Sequence, residues 1–247
     1  MAKFLMEAHE KNYVRSYLMN DTVLSMANPA PILLHGETKG NVLMDIEAKF
    51  TVPDPSVYWR LQTTDHLAGY SLSTTQVKPV WDTYLDTKHQ RLLASGYSCL
   101  RRVMRGGTLI TLKSLGGAMG AVHRRLICEL SMATSRSPID WPDCPVRDLV
   151  LQLIGGEPLL THLELQQTRV LRMLKEDDQP VAELSLDSVS LVTAETEQVF
   201  RVLEVELLPQ TPQETLMTIA CCLQDGWHLK PEPRSKFERA LHWLDML

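Results

Sequence analysis

The stretch Val42-Leu43-Met44-Asp45-Ile46-Glu47-Ala48-Lys49-Phe50-Thr51-Val52 sets Asp45, Glu47 and Lys49 on one parity and Met44, Ile46 and Phe50 on the other. Successive side chains of a strand point to opposite faces, so this spacing lines one face of a sheet with charge. Near the other end, Val202-Leu203-Glu204-Val205-Glu206-Leu207 repeats the arrangement, with Glu204 and Glu206 opposed to Leu203, Val205 and Leu207. Two carboxylate-lined strands suit an ordinary core poorly, because clustered like charges repel unless something positive lies between them. A divalent metal ion would meet that need.

The same alternation runs along the chain between them. It predicts eight strands: Val42–Val52, Val77–Asp86, Gly96–Met104, Thr108–Ser114, Ala121–Ser131, Thr161–Lys175, Pro180–Thr193 and Glu197–Leu208. Arg105-Gly106-Gly107 reads as a tight turn, because glycine supplies the positive φ that such turns need, and makes its two strands antiparallel. Short helices are expected over Ser56–Leu67 behind Asp54-Pro55, over Val146–Ile154 behind Asp143 and Pro145 and ahead of Gly155-Gly156, after Thr211-Pro212, and from a Ser235 cap to the C-terminus. Asn28-Pro29-Ala30-Pro31 breaks any helix in Glu7–Ser25, so residues 1–41 read as an extension, 42–230 as the main domain and 231–247 as a C-terminal helix.

Parity offers one face with Asp45, Glu47 and Lys49; Cys99, Arg101 and Val103; Thr111 and Lys113; His123, Arg125, Ile127 and Glu129; Arg169; and Glu183, Ser185 and Asp187. A sheet with one solvated face would account for any single strand. It does not account for helices over the opposite side of every strand, nor for Lys and Arg gathered on some strands and Asp and Glu on others. If the eight strands close, an apolar exterior under helices surrounds a charged lumen. Within it His123 reads as a hydrogen-bonding residue, and the scattered Trp81, Trp141, Trp227 and Trp243 read as packing residues.

Composition narrows the classes. With 247 residues, 44% hydrophobic, the chain is long enough for a real core. A formal net charge of −5 argues against a nucleic-acid surface held by bulk positive charge. Five cysteines without a Cys-x-x-Cys spacing favour reduced thiols and a cytoplasmic setting. No apolar run is long enough to predict a signal peptide or a membrane span.

These residues resemble the CYTH family, the triphosphate tunnel metalloenzymes, marked by Glu-x-Glu-x-Lys and represented here by Asp45-Ile46-Glu47-Ala48-Lys49. The similarity continues through Asp82-Thr83-Tyr84-Leu85-Asp86-Thr87, Leu100-Arg101-Arg102, Leu109-Ile110-Thr111-Leu112-Lys113, Ala182-Glu183-Leu184-Ser185-Leu186-Asp187 and Leu203-Glu204-Val205-Glu206-Leu207, in the family's order. The tail Leu229-Lys230-Pro231 through Arg239 is similar to the join between a CYTH and a helical CHAD domain.

The resemblance implies a mainly β (α+β) fold, an eight-stranded antiparallel closed β-barrel tunnel with short flanking helices. It implies metal-dependent hydrolysis of inorganic triphosphate or a related triphosphate. Lys49 and Glu47 would be catalytic; Lys49, Arg101, Lys113, Arg125 and Arg169 would bind substrate; Asp45, Glu47, Glu129, Asp187, Glu204 and Glu206 would hold Mg²⁺ or Mn²⁺. The implied partner is a triphosphate or polyphosphate ligand, with no nucleic acid and no membrane, and a homodimer is left open. Three departures matter: Asp45 replaces the first Glu, Val103 stands where a second phosphate-binding arginine is usual, and Ile127 stands where another carboxylate is frequent. Val103, Ile127 and the CHAD-like tail favour the alternative of a non-catalytic polyphosphate- or nucleotide-binding module. An adenylate cyclase or thiamine triphosphatase is a third reading, for which no base-recognition feature is found.

Overall fold

A computed structural model describes residues 41–192 and 197–244. The strands are β1 (Asn41–Thr51), β2 (His66–Leu67), β3 (Tyr70–Leu72), β4 (Gln76–Asp86), β5 (Tyr97–Met104), β6 (Gly107–Ser114), β7 (Ala118–Met119), β8 (Val122–Met132), β9 (Leu160–Glu176), β10 (Gln179–Val192), β11 (Glu197–Leu207) and β12 (Lys230–Pro231). The long strands run in the order β10-β11-β1-β8-β6-β5-β4-β9, and β9 pairs back onto β10, which closes the sheet into an eight-stranded antiparallel barrel. Each long strand falls within a residue of its expected limits where it is described, because each carries period-2 alternation over eight or more residues. Residues 1–40 of the expected extension, with the segment Glu7–Ser25, and Thr193 lie outside the described residues.

Closure divides the apolar residues into three cores. On one outer flank the even side chains of β1, β9 and β10, such as Phe50, Leu174 and Leu184, pack under the helices Pro55–Thr63 and Gln213–Cys221. On the opposite flank Cys99, Ile110, Leu112 and Leu130 pack under the helix Pro145–Ile154 through Val146, Val150 and Ile154. The third core lies inside the barrel. There Leu163, Leu165, Val189 and Phe200 enclose Phe237, Ala240 and Leu241 of the C-terminal helix Lys236–Trp243. That helix starts on a capping box in which Ser235 and Glu238 satisfy each other's backbone N–H groups, and its first turn is thereby fixed against the barrel wall.

Two helix expectations need correction. The first helix ends at Thr63, because Thr64 is already extended, and Leu67 lies in β2 of a small hairpin with β3 that turns through Ala68 and Gly69 at positive φ. The cap of the helix Pro145–Ile154 is Cys144, with no side-chain bond, while Asp143 instead accepts from Arg147 at 2.7 Å. Its C-terminal end is as expected: Gly155 is left-handed, at φ 60°.

Candidate functional site

Register decides what the lumen contains. On β1, Glu47 lies opposite Glu206 and Lys49 opposite Glu204 of β11, while across the other edge Asp45 lies opposite Arg125 of β8. Asp187 of β10 faces Arg169 of β9, and Thr111 of β6 faces Glu129 of β8. The resulting cavity, about 200 Å³, is lined by Glu47, Lys49, Lys113, Arg125, Ile127, Glu129, Arg169, Glu204 and Glu206. Asp45 and Asp187 are buried in its wall.

The basic groups are all engaged by carboxylates. Lys49 Nζ is 3.1 Å from both Glu47 and Glu204. Arg125 contacts Glu47 closely and Asp45 at 3.9 Å, and Lys113 Nζ lies 3.4 Å from Asp45. Arg169 binds Asp187 through two nitrogens, at 2.7 and 2.8 Å, and its second nitrogen lies 3.8 Å from Glu204. Burial would raise the pKa of Glu204, but the charges of Lys236, Lys49 and Arg169 outweigh it and hold the carboxyl well below the usual range. The same interplay leaves Arg169 firmly protonated: burial opposes its charge, and Asp187 and Glu204 overcome that cost. Glu206 differs. Among the described residues it has no ion-pair partner; its side chain keeps an exposed surface, yet its partial enclosure in the barrel, then the nearby charges of Asp45, Glu183 and Glu204, push its pKa up to about 7 against the pull of Lys113.

That corner fits a hard divalent cation by its chemistry. Asp45 Oδ1 is buried without a hydrogen-bond partner, Glu206 has no ion-pair partner among the described residues and lies near the like charge of Asp45, and Glu47 completes a set of oxygen donors on adjoining strands. As the side chains stand, no three acidic, histidine or cysteine residues converge into a ready-made site among the described residues, because lysines and arginines already occupy their oxygens.

Residues 43–239 match the CYTH domain. The chain belongs to the CYTH family. No curated protein sequence matches it, whereas solved structures do. HpAC1 from Hippeastrum, described as a proposed adenylyl cyclase with a dominant triphosphatase activity, superposes with a TM-score of 0.54 at 17% identity, over 82% of this chain and 97% of that one. A proposed adenylate cyclase from Bacillus halodurans gives 0.56 at 16% identity, over 80% and 97%. At these identities the likeness is one of fold.

One candidate in this CYTH lumen is placed elsewhere. Arg101 lies on the outer face of β5, and Arg102 lines the cavity in its place. The reason is the length of one turn. With Gly107 counted in the loop, Met104 would pair with Thr108 and odd residues of β5 would accompany Lys113. In the structure Met104 pairs with Gly107, so Ser98, Leu100 and Arg102 stand opposite Lys113, Thr111 and Leu109. A slip of one residue exchanges the faces of a whole strand. Val103 is accordingly on the outside, 72% exposed, and does not mark a cation missing from the lumen. Ile127 does face inward, between Arg125 and Glu129.

Two residues of the lumen lie outside the parity reading. Asp82 is buried in the lumen, where it accepts both nitrogens of Arg102, at 2.7 and 2.9 Å, and a close hydrogen bond from Gln167. Its signal was present in the motif Asp82–Thr87. Lys236, at the start of the C-terminal helix, enters the lumen and places Nζ 2.5 Å from Asp187 and 2.7 Å from Glu204. Only tertiary packing puts it there: Phe237 beside it stacks on Tyr84 with centroids 4.7 Å apart.

Proposed function

We propose that this CYTH protein hydrolyses inorganic triphosphate, or a related triphosphate, with a divalent metal ion inside the barrel. The observation that carries the reading is one cavity in which Lys49, Lys113, Arg125, Arg102 and Arg169 alternate with Glu47, Glu204 and Glu206. A linear chain of phosphoryl groups needs positive charge along its length, which the lysines and arginines supply, and guanidinium forks can take two oxygens of one phosphate at once. Asp45, Glu47, Glu204 and Glu206, with Glu129 and Asp187 beyond them, are the residues that would hold Mg²⁺ or Mn²⁺. When bound, such an ion would polarise a phosphoryl oxygen and acidify a water. The chain's own part is to neutralise the phosphoryl oxygens, hold the chain in line and keep solvent from the far end of the barrel, where the third core closes it. Lys49, buried at 2% exposure between Glu47 and Glu204, is positioned to bind a phosphoryl oxygen once a cation relieves it of a carboxylate.

A binding module without turnover is favoured by a specific observation: Ile127 is an apolar side chain in the lumen wall between Arg125 and Glu129. Phosphate release from triphosphate, with Mg²⁺ or Mn²⁺, tests the enzyme directly. Release that requires the metal and falls by about 100-fold or more in Lys49→Ala supports hydrolysis. Tight calorimetric binding without release would assign the module instead.

A further inference from the structure

A second cavity, of about 320 Å³, lies outside the barrel wall beneath residues 135–141. Its floor is the outer face of the sheet, where Leu85 and Ile110 flank Arg101. Its roof is the loop Ser135–Pro138 with Trp141, whose indole nitrogen donates to the Arg136 carbonyl at 2.9 Å and so holds the loop in place. The arginine that parity assigned to the tunnel therefore lies here, together with Arg136.

These two arginines contrast with those of the lumen. Arg102, Arg125 and Arg169 each have a carboxylate partner. Arg101 is half-buried and forms no hydrogen bond or ion pair among the described residues, while Arg136 uses only Nε, toward Thr134 Oγ1 at 3.4 Å. No carboxylate lines the cavity. Arg101 is half-buried and Arg136 exposed at the rim of the same recess, and two like charges lining one recess favour an anion between them. Ser135, Ser137 and Thr161 add hydroxyl donors to the same recess. Two forks and three hydroxyls exceed the acceptor capacity of a carboxylate and suit the three terminal oxygens of a phosphate. Leu85, Ile110 and the indole of Trp141 offer an apolar bed beside them, in a volume suited to a small ligand.

We propose that this outer cavity binds a small organic phosphate, with the phosphate on Arg101 and Arg136 and an apolar or aromatic body against Leu85, Ile110 and Trp141. The site is independent of what occupies the tunnel.

Calorimetric titration of the full chain with phenyl phosphate tests this, with inorganic phosphate and phenol as separate arms and melting curves for every variant. Arg136 is on an exposed loop, so Arg136→Gln keeps the fold even if Arg101→Gln does not. Each substitution should weaken phenyl phosphate by about 10-fold or more, the effect of losing a charge-assisted hydrogen bond. Lys113→Ala, which alters only the tunnel, should bind it as wild type does. No binding by wild type, unchanged affinity in folded Arg136→Gln, or loss of binding in Lys113→Ala would each overturn the assignment. Inorganic phosphate binding as tightly as phenyl phosphate would remove the role of the apolar bed.

Discussion

Asp82 is 2% exposed and depends on Arg102 for its counter-charge, whereas Arg101, one residue away, has no such dependent. Removing one partner of a buried pair strands the other's charge, so Arg102→Ala should cost about 3 kcal/mol of stability and Arg101→Ala less than about 1 kcal/mol. Urea denaturation of the two variants checks the assignment; a larger loss in Arg101→Ala than in Arg102→Ala would mean that β5 faces the other way. His123 carries a separate, pH-dependent term. It is 1% exposed, its Nε2 lies 2.9 Å from the Glu232 carbonyl, and burial, then the charge of Lys49, lowers its pKa from 6.5. The folded value lies below the unfolded one, so the stability it contributes is complete above pH 6.5 and is lost as pH falls below that point. His123→Gln, which keeps a donor and cannot charge, should show a smaller fall in Tm than wild type between about pH 7.5 and about pH 5. Thermal melts at both values decide it, and an equal fall in the two proteins argues against the histidine. Reading His123 as a hydrogen bonder was possible from sequence because a lone histidine on a strand has no second ligand at a useful spacing. Asp82 is not legible in the same way, since β4 carries only one lumen carboxylate and gives no alternation to count.

The C-terminal helix acts as the inner plug of the barrel, and its first two residues do different work. Phe237 fills the apolar half of the lumen at 2% exposure, and truncation to alanine should cost about 3–5 kcal/mol through the cavity left behind. Lys236 supplies charge where Asp187 and Glu204 converge. In Lys236→Met those carboxylates keep only Arg169 and Lys49, so the protein without metal should melt lower, and added Mg²⁺ should recover more Tm than it adds to wild type. Differential scanning calorimetry with and without Mg²⁺ reads both effects; a variant that gains nothing from Mg²⁺ would separate Glu204 from metal binding. At this scale the strands were legible because long alternation leaves little freedom, and the helices because proline and glycine punctuate them. The facing of β5 was not, since both of its parities contain one arginine and only the turn length distinguishes them. The insertion of the tail was not legible either, because a helix pattern records which face is apolar and not what it enters.

Across the whole molecule, the lumen is a set of internal ion pairs that a ligand must exchange for its own. Lys49, Arg125, Arg169 and Lys236 are held by Glu47, Glu204 and Asp187, and Lys113 by Asp45. A triphosphate arriving alone must detach these cations and leave buried carboxylates without partners, which is costly. A divalent cation arriving alone must displace lysines and arginines from their carboxylates and strand them instead. Together the two ligands make the exchange balanced: carboxylates pass to the metal, and lysines and arginines pass to phosphoryl oxygens. On the proposed function such an exchange begins at the unpaired Oδ1 of Asp45 and at Glu206, since both gain from a cation before any pair is broken. Binding to the native state alone raises stability by RT ln(1 + [L]/Kd), about 2.7 kcal/mol at one hundred times Kd. The rise in Tm with triphosphate and Mg²⁺ present together should therefore exceed the sum of the rises with each alone. A slowly hydrolysed triphosphate analogue keeps turnover from obscuring the comparison. Increments that merely add would show that the anion and the metal bind independently, and the partner exchange would then be no part of how this barrel takes up its ligand.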